Sequence, residues 1–168
     1  MEVVSMSASV AVVMGSRSDY PVVQNAVTLL ESFGIAVEMR VLSAHRTPEE
    51  AAAFARGARG RGVGVIIAAA GKAAHLPGVL AAYTTLPVIG LPVKTSLMGG
   101  MDSLLSIVQM PAGIPVATVG VDASQNAALL AVEMLAITDG ELADRLADYR
   151  KSMADKVLAD DANIRKGE

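Results

Sequence analysis

The run Val10-Ala11-Val12-Val13-Met14 carries no polar side chain on either face and is closed by Gly15-Ser16-Arg17-Ser18-Asp19. A strand that faces water on one side alternates apolar and polar residues. One that does not alternate is covered on both sides, the condition of a central strand in a parallel sheet. The pattern recurs in Val63 to Ala70, closed by Gly71, and in the shorter Leu86 to Pro92, bracketed by prolines. Ile35 to Leu42 differs, with Val37, Met39 and Val41 alternating against Glu38 and Arg40, which predicts a strand near a sheet edge. Ile114 to Val121 reads as a fifth strand. Between these runs lie stretches with helical spacing. Val22, Val23, Ala26, Val27, Leu29 and Leu30 follow Pro21 and stop near Gly34, and Thr47-Pro48-Glu49-Glu50 reads as a helix start with Thr47 as N-cap and Glu50 as its capping-box partner. Ser103 to Met110, behind Asp102, is a short helix. Ser124 or Asp122 opens another through Leu135, and Glu141 to Leu158 is amphipathic with Leu142, Leu146, Tyr149, Met153 and Val157 on one stripe.

Strand and helix alternating about five times predict an α/β fold built on a doubly wound parallel sheet, with strand order 2-1-3-4-5. No repeat, low-complexity tract or linker divides the chain, so residues 1–168 are expected to form one domain, with 1–8 as a disordered N-terminal extension. Aromatic residues make up only 3% of the chain against 52% hydrophobic residues, so the core is built from Val, Ile, Leu, Ala and Met. Charged residues are 18%, low for a monomer, which implies that part of the surface is covered by other subunits. A formal net charge of −3 and the lack of any lysine or arginine run give no footprint for nucleic acid. Cysteine is absent, which removes disulfides, thiolate catalysis and cysteine-bound metals and fits a reducing cytoplasm. Met1 to Met6 lacks the basic and long apolar regions of a signal peptide, and no apolar stretch reaches the roughly 20 residues of a membrane-spanning helix.

The chain has two histidines, and both follow strand-like runs. His45 stands in Ser43-Ala44-His45-Arg46-Thr47-Pro48, and His75 in Gly71-Lys72-Ala73-Ala74-His75-Leu76-Pro77-Gly78. Imidazole titrates near neutrality, so both are candidate proton carriers. In an open parallel sheet the ligand crevice lies beyond the carboxyl ends of the strands, where the strand order reverses. The Gly-Ser turn and both histidine loops therefore gather on one edge. The Gly15–Asp19 turn there suits either helix capping by Ser18 or Asp19, or the binding of a phosphate or ribose. Arg46 suits a forked contact with phosphate or carboxylate, or an ion pair with Glu49 or Glu50. Nothing in the set looks like a nucleophile with its base, a metal-ligand cluster or a dinucleotide turn. On residue chemistry alone the chain is an enzyme acting on a small phosphorylated metabolite by proton transfer.

The set Gly15-Ser16-x-Ser18-Asp19, Ser43-Ala44-His45-Arg46-Thr47-Pro48, Ala73-Ala74-His75-Leu76-Pro77-Gly78 and Asp102 through Pro111 resembles the PurE family of N5-carboxyaminoimidazole ribonucleotide mutases (class I), from about Val10 to the last helix. The resemblance implies a three-layer, flavodoxin-like fold assembled as a cytoplasmic homo-octamer, working without metal or organic cofactor. It implies an isomerisation in purine biosynthesis that moves a carboxylate from the exocyclic nitrogen of aminoimidazole ribonucleotide to its ring carbon. Ser18, Ser43 and Arg46 would hold the phosphate and Asp19 the ribose. Ser16, Ala44, Gly71, Lys72, Ala74, His75 and Leu76 would line the site, with His75 as binder and orienter, and His45 would be the acid and base. The family usually has glycines where Ala69 and Lys72 stand here. Relatives that carboxylate the ribonucleotide directly with carbon dioxide carry a basic residue near Lys72, but they lose His-Leu-Pro-Gly and usually have lysine at the place of Arg46. Direct carboxylation, a catalytically silent nucleotide-binding homologue and, on fold alone, an electron carrier are the alternatives.

Overall fold

The structure, a computed structural model, describes residues 8–167. The N-terminal extension expected over 1–8 lies, up to residue 7, outside the described residues; Ala8 is half-buried. Five strands, β1 (Ser9–Met14), β2 (Val37–Val41), β3 (Val63–Ala70), β4 (Val88–Pro92) and β5 (Ala117–Thr118), form one sheet. Every pairing is parallel and the order is β2-β1-β3-β4-β5, as the sequence predicts. Six helices connect or follow them: α1 (Tyr20–Ser32), α2 (Pro48–Ala58), α3 (Leu76–Tyr83), α4 (Met101–Val108), α5 (Ser124–Ala136) and α6 (Gly140–Lys166).

The unbroken apolar runs explain the layering. Alternate residues of a strand point to opposite faces, and here both faces are dry. Val10, Val12 and Met14 join Val65, Ile67 and Ala69 in a core with Val23, Ala26 and Leu30 of α1 and Ala127, Ala131 and Val132 of α5. Ala11, Val13, Ile66 and Ala68 face the other way, onto Ala51, Phe54 and Ala55 of α2, Leu80 of α3 and Ile107 of α4. Each buried Leu, Ile or Val contributes about 1.5–3 kcal/mol, and the many alanines let the helices approach the sheet closely. β2 is an edge strand, and Met39 and Val41 are 40% and 50% exposed. Ala69, at a family glycine position, is wholly buried inside β3 and its carbonyl accepts the Gly15 N–H at 3.1 Å.

Four local expectations are corrected. Thr47 does precede α2, with proline in the first turn, but its hydroxyl makes no capping bond to the helix. It is turned back, accepting the Ser43 N–H at 2.9 Å, and this leaves no capping box with Glu50. The fifth strand shrinks from Ile114–Val121 to Ala117–Thr118, because Pro115 has no N–H to give and an edge strand has a neighbour on one side only. Leu76-Pro77-Gly78 opens helix α3 instead of lying in a loop. The last helix runs on past Leu158 to Lys166 and is stopped by Gly167 at φ +82°, a C-cap that glycine takes without strain.

Gly90 lies in the middle of β4, where a Cβ would stand 2.3 Å from Ile107 Cγ2 and 2.9 Å from Val116 Cγ1. This lack of a side chain is what lets α4 seat on the sheet. Gly90→Ala is expected to lower stability by about 1–3 kcal/mol through overpacking. Thermal melts of Gly90→Ala, Ile107→Ala and the double variant check this, since relief of the clash makes the double variant more stable than the sum of the single effects. Additive losses would show that the backbone, not Ile107, takes up the strain.

Candidate active site

The order of the sheet reverses between β1 and β3, and a crevice of ≈ 540 Å³ opens there beyond the carboxyl ends of the strands. Gly15, Ser16, Ser18 and Asp19 come to it from β1, Ser43 to Arg46 from β2, and Gly71, Lys72 and Leu76 from β3. Of the residues expected at the site, two stand off the wall. Ala74 is 1% exposed and packs in the core beneath. His75 meets the crevice through its ring, which contacts His45. The loop after β4, with Val93, Lys94, Thr95 and Ser96, forms a wall that the sequence reading did not include. The signal for it was present, since the rule that gathers loops at strand ends applies to β4 as it does to β1.

Each loop is held by its own hydroxyls. Ser16 Oγ accepts the Ser18 N–H at 3.3 Å, capping a 3-10 turn over Arg17–Asp19, and lies 3.0 Å from Ser18 Oγ. Ser43 Oγ accepts the N–H groups of His45 and Arg46, at 3.3 and 3.1 Å. Ser43 Oγ therefore spends its lone pairs inside the protein and keeps a proton to donate into the crevice. Arg46 forms no ion pair with Glu49 or Glu50; its Nη2 donates to the Gly15 carbonyl at 3.1 Å, and its Nε lies 3.5 Å from Ser43 Oγ. That places a fixed guanidinium across the first two loops.

Asp19 precedes α1 without capping it and is 9% exposed. Burial pushes its carboxyl above the usual value of 3.8, and hydrogen bonds from the Ser18 side chain and the Ser16 backbone hold it partly down. Lys72, at a family glycine position, stands at φ +57° in the left-handed region. Its carbonyl accepts the Ala74 N–H at 2.8 Å and the Ser106 hydroxyl at 3.3 Å, and the next turn repeats the motif with His75 N–H on Ala73 O at 2.8 Å. These two tight turns deliver His75 to the start of α3. There His75 Nδ1 lies 2.8 Å from His45 Nε2, with the ring planes at 81°. Arg46, Lys72 and Lys94 set three cations around the one carboxylate, Asp19, so the crevice is fitted to an anionic ligand and holds an imidazole pair at its mouth.

A parallel doubly wound sheet with such a crevice at its switch point defines an α/β protein built to hold a small anionic molecule. The AIR carboxylase family profile matches residues 9–156, and the chain belongs to that family. It is 58% identical over 144 residues to the N5-carboxyaminoimidazole ribonucleotide mutase of Pyrococcus abyssi, covering 86% of this chain and 83% of that one. With the mutase of Mycobacterium tuberculosis identity is 54% over 157 residues, 94% of this chain and 90% of the relative. A crystal structure of a Treponema denticola PurE2 variant superposes with a TM-score of 0.85 at 30% identity, over 94% of this chain and 98% of that one.

Two stability predictions follow from the site. Because folding favours the protonated form of Asp19, the stability this group contributes is complete below pH 3.8 and is lost as pH rises through its raised value. Asp19→Asn is therefore expected to melt higher than the wild type at neutral pH, the two converging in acid; a wild type that melts higher at neutral pH would contradict this. A left-handed residue with a Cβ costs about 1–2 kcal/mol, so Lys72→Gly is expected to raise the melting temperature by about 1–4 °C. No rise would mean that the lysine side chain offsets its own backbone strain.

Proposed function

We propose that this protein is an N5-carboxyaminoimidazole ribonucleotide mutase of purine biosynthesis, working as a cytoplasmic homo-octamer. The observation that carries the reading is the convergence of His45 and the anion-binding groups of three strand ends in one crevice, in a chain 52–58% identical to mutases over most of its length. Assembly is supported by the apolar side chains left on the surface, among them Leu97 and Met98 after β4, Leu105 on α4, and Val157 and Leu158 on α6.

Ser18, Ser43 and Arg46 take the phosphate, and Asp19 accepts from the ribose hydroxyls. Lys72 faces the second anion of the substrate, its carbamate, which lies with the base against Ser16, Ala44, Gly71 and Leu76. His45 in its protonated form gives a proton to the exocyclic nitrogen. The bond from that nitrogen to the carboxylate breaks, its electron pair stays on nitrogen, and carbon dioxide is released inside the crevice. The ring carbon then attacks carbon dioxide, and the proton on that carbon passes to His45, which ends as it began. One imidazole, able both to give and to take a proton, serves both transfers. Exclusion of water and retention of the gas are required, since escape aborts the second half.

The test compares two substrates with the purified protein while product absorbance is followed: the N-carboxylated ribonucleotide, and aminoimidazole ribonucleotide with bicarbonate. Rapid turnover of the first alone is expected; efficient use of free carbon dioxide would make the protein a carboxylase, with Lys72 the first residue to change. His45→Asn is expected to lower kcat by about 100- to 10,000-fold while sedimenting at the same eight-chain mass as the wild type. Retained turnover, or loss of assembly, would remove His45 from the role of proton carrier.

A further inference from the structure

We propose that His75 is a positioning residue that locks the His45 ring so that Nδ1 of His45, and not Nε2, exchanges the proton with the substrate. The choice of reacting nitrogen rests on the mutase reading, whereas the locking rests on geometry alone. Both backbones are anchored: the His45 N–H donates to Ser43 Oγ at 3.3 Å, the His75 N–H to Ala73 O at 2.8 Å, and the His75 carbonyl accepts the Val79 N–H at 2.9 Å. From these anchors the rings meet edge to edge, His45 Nε2 to His75 Nδ1 at 2.8 Å.

Two imidazole nitrogens at that distance hold one proton between them. If His75 Nδ1–H were the donor, a neutral His45 would carry its proton on Nδ1 and direct its lone pair at His75. It would then have no nitrogen free to receive the ring-carbon proton without breaking the contact. If His45 Nε2–H is the donor, Nδ1 is a lone pair in the neutral ring and an N–H in the protonated one. Only this second arrangement can give a proton and take one back in the same pose. His75 then acts as a neutral acceptor, with its own proton on Nε2, as the orienting partner of a catalytic histidine does in other acid–base sites. The pair accepts one extra proton, at His45 Nδ1. A second would go to His75 Nδ1, face the His45 Nε2–H and separate the rings.

The test uses the whole protein. In long-range proton–nitrogen correlation spectra of ¹⁵N-histidine-labelled protein without ligand, both neutral rings are expected as the Nε2–H tautomer, and His75→Ala is expected to turn His45 into a tautomer mixture. In turnover, His75→Asn keeps an acceptor at the place of Nδ1 and is expected to lose less than about 10-fold in kcat. His75→Gln, whose acceptor sits at the place of Nε2, and His75→Ala are expected to lose about 100-fold or more, the lower range of acid–base contributions. Equal losses in kcat and kcat/KM would place the effect in the transition state. An Nδ1–H tautomer at His45, or a His75→Asn variant as impaired as His75→Ala, overturns the proposal. Matching Nε2–H tautomers in a wild type that does not turn over the carbamate leave the lock standing and overturn the mutase reading instead.

Discussion

A strand buried on both faces has no side chain to spare for chemistry. Val10 to Met14, and Val63 to Ala70 apart from Gly64, give every residue to one of two cores, so each functional group in this fold lies beyond a strand's carboxyl end, where the chain turns to its helix. The choice of edge follows from the right-handed parallel crossover, and the choice of place along that edge from the reversal of order between β1 and β3. Apolar burial thus fixes the crevice before any polar residue acts. The alanines contribute to the same end: Ala11, Ala68 and Ala69 keep the sheet thin, and Ala51, Ala55, Ala127 and Ala131 bring the helices down on it.

Once the edge carries the function, it also carries the strain. Among the described residues, three non-glycine residues adopt positive φ, Lys72 at +57°, Met98 at +46° and Asp122 at +55°. They follow β3, β4 and β5 respectively, all on the crevice edge. Such conformations persist only where their surroundings over-determine them, and here hydrogen bonds do so. Asp122 Oδ1 accepts the Lys94 N–H at 2.8 Å, Thr95 Oγ1 donates to Asp102 Oδ1 at 2.6 Å, and the wholly buried Ser103 hydroxyl reaches the carbonyls of Val93 and Gly100. The wall after β4 is therefore clasped from α4 and from the end of β5, while Leu97 and Met98 at its tip remain exposed.

What could be read from the sequence depended on how local the cause was. β3 was legible to the residue, because eight apolar positions between Gly62 and Gly71 admit one reading. Thr47 was misread because a threonine three residues before a glutamate matches the capping pattern, whereas the Ser43–Thr47 turn claims that hydroxyl first. Pro77 and Gly78 read as loop punctuation, although proline in a first turn also opens helices. α6 outran its apolar stripe, since its last turns hold by propensity and the Gly167 cap and not by burial. At the site, the residues of the first three strand ends were legible from motif and topology together. The contact between His45 and His75, 30 positions apart, was not, because no pattern in the chain states how two loops tilt toward each other.

The crevice is cationic in a chain of net charge −3, and its groups are arranged before any ligand arrives. Ser43 accepts inward and can donate only outward; Arg46 is already spread over Gly15 and Ser43. Dipoles fixed in this way need little rearrangement when charge appears, and that preorganisation is the main electrostatic resource of an active site. Asp19 is the opposite case: a carboxylate held where burial disfavours its charge. A fold selected for stability alone has no reason to keep it, for it caps no helix and pairs with no cation among the described residues. Its retention beside Ser18 is intelligible only if a ligand supplies the donors the protein withholds.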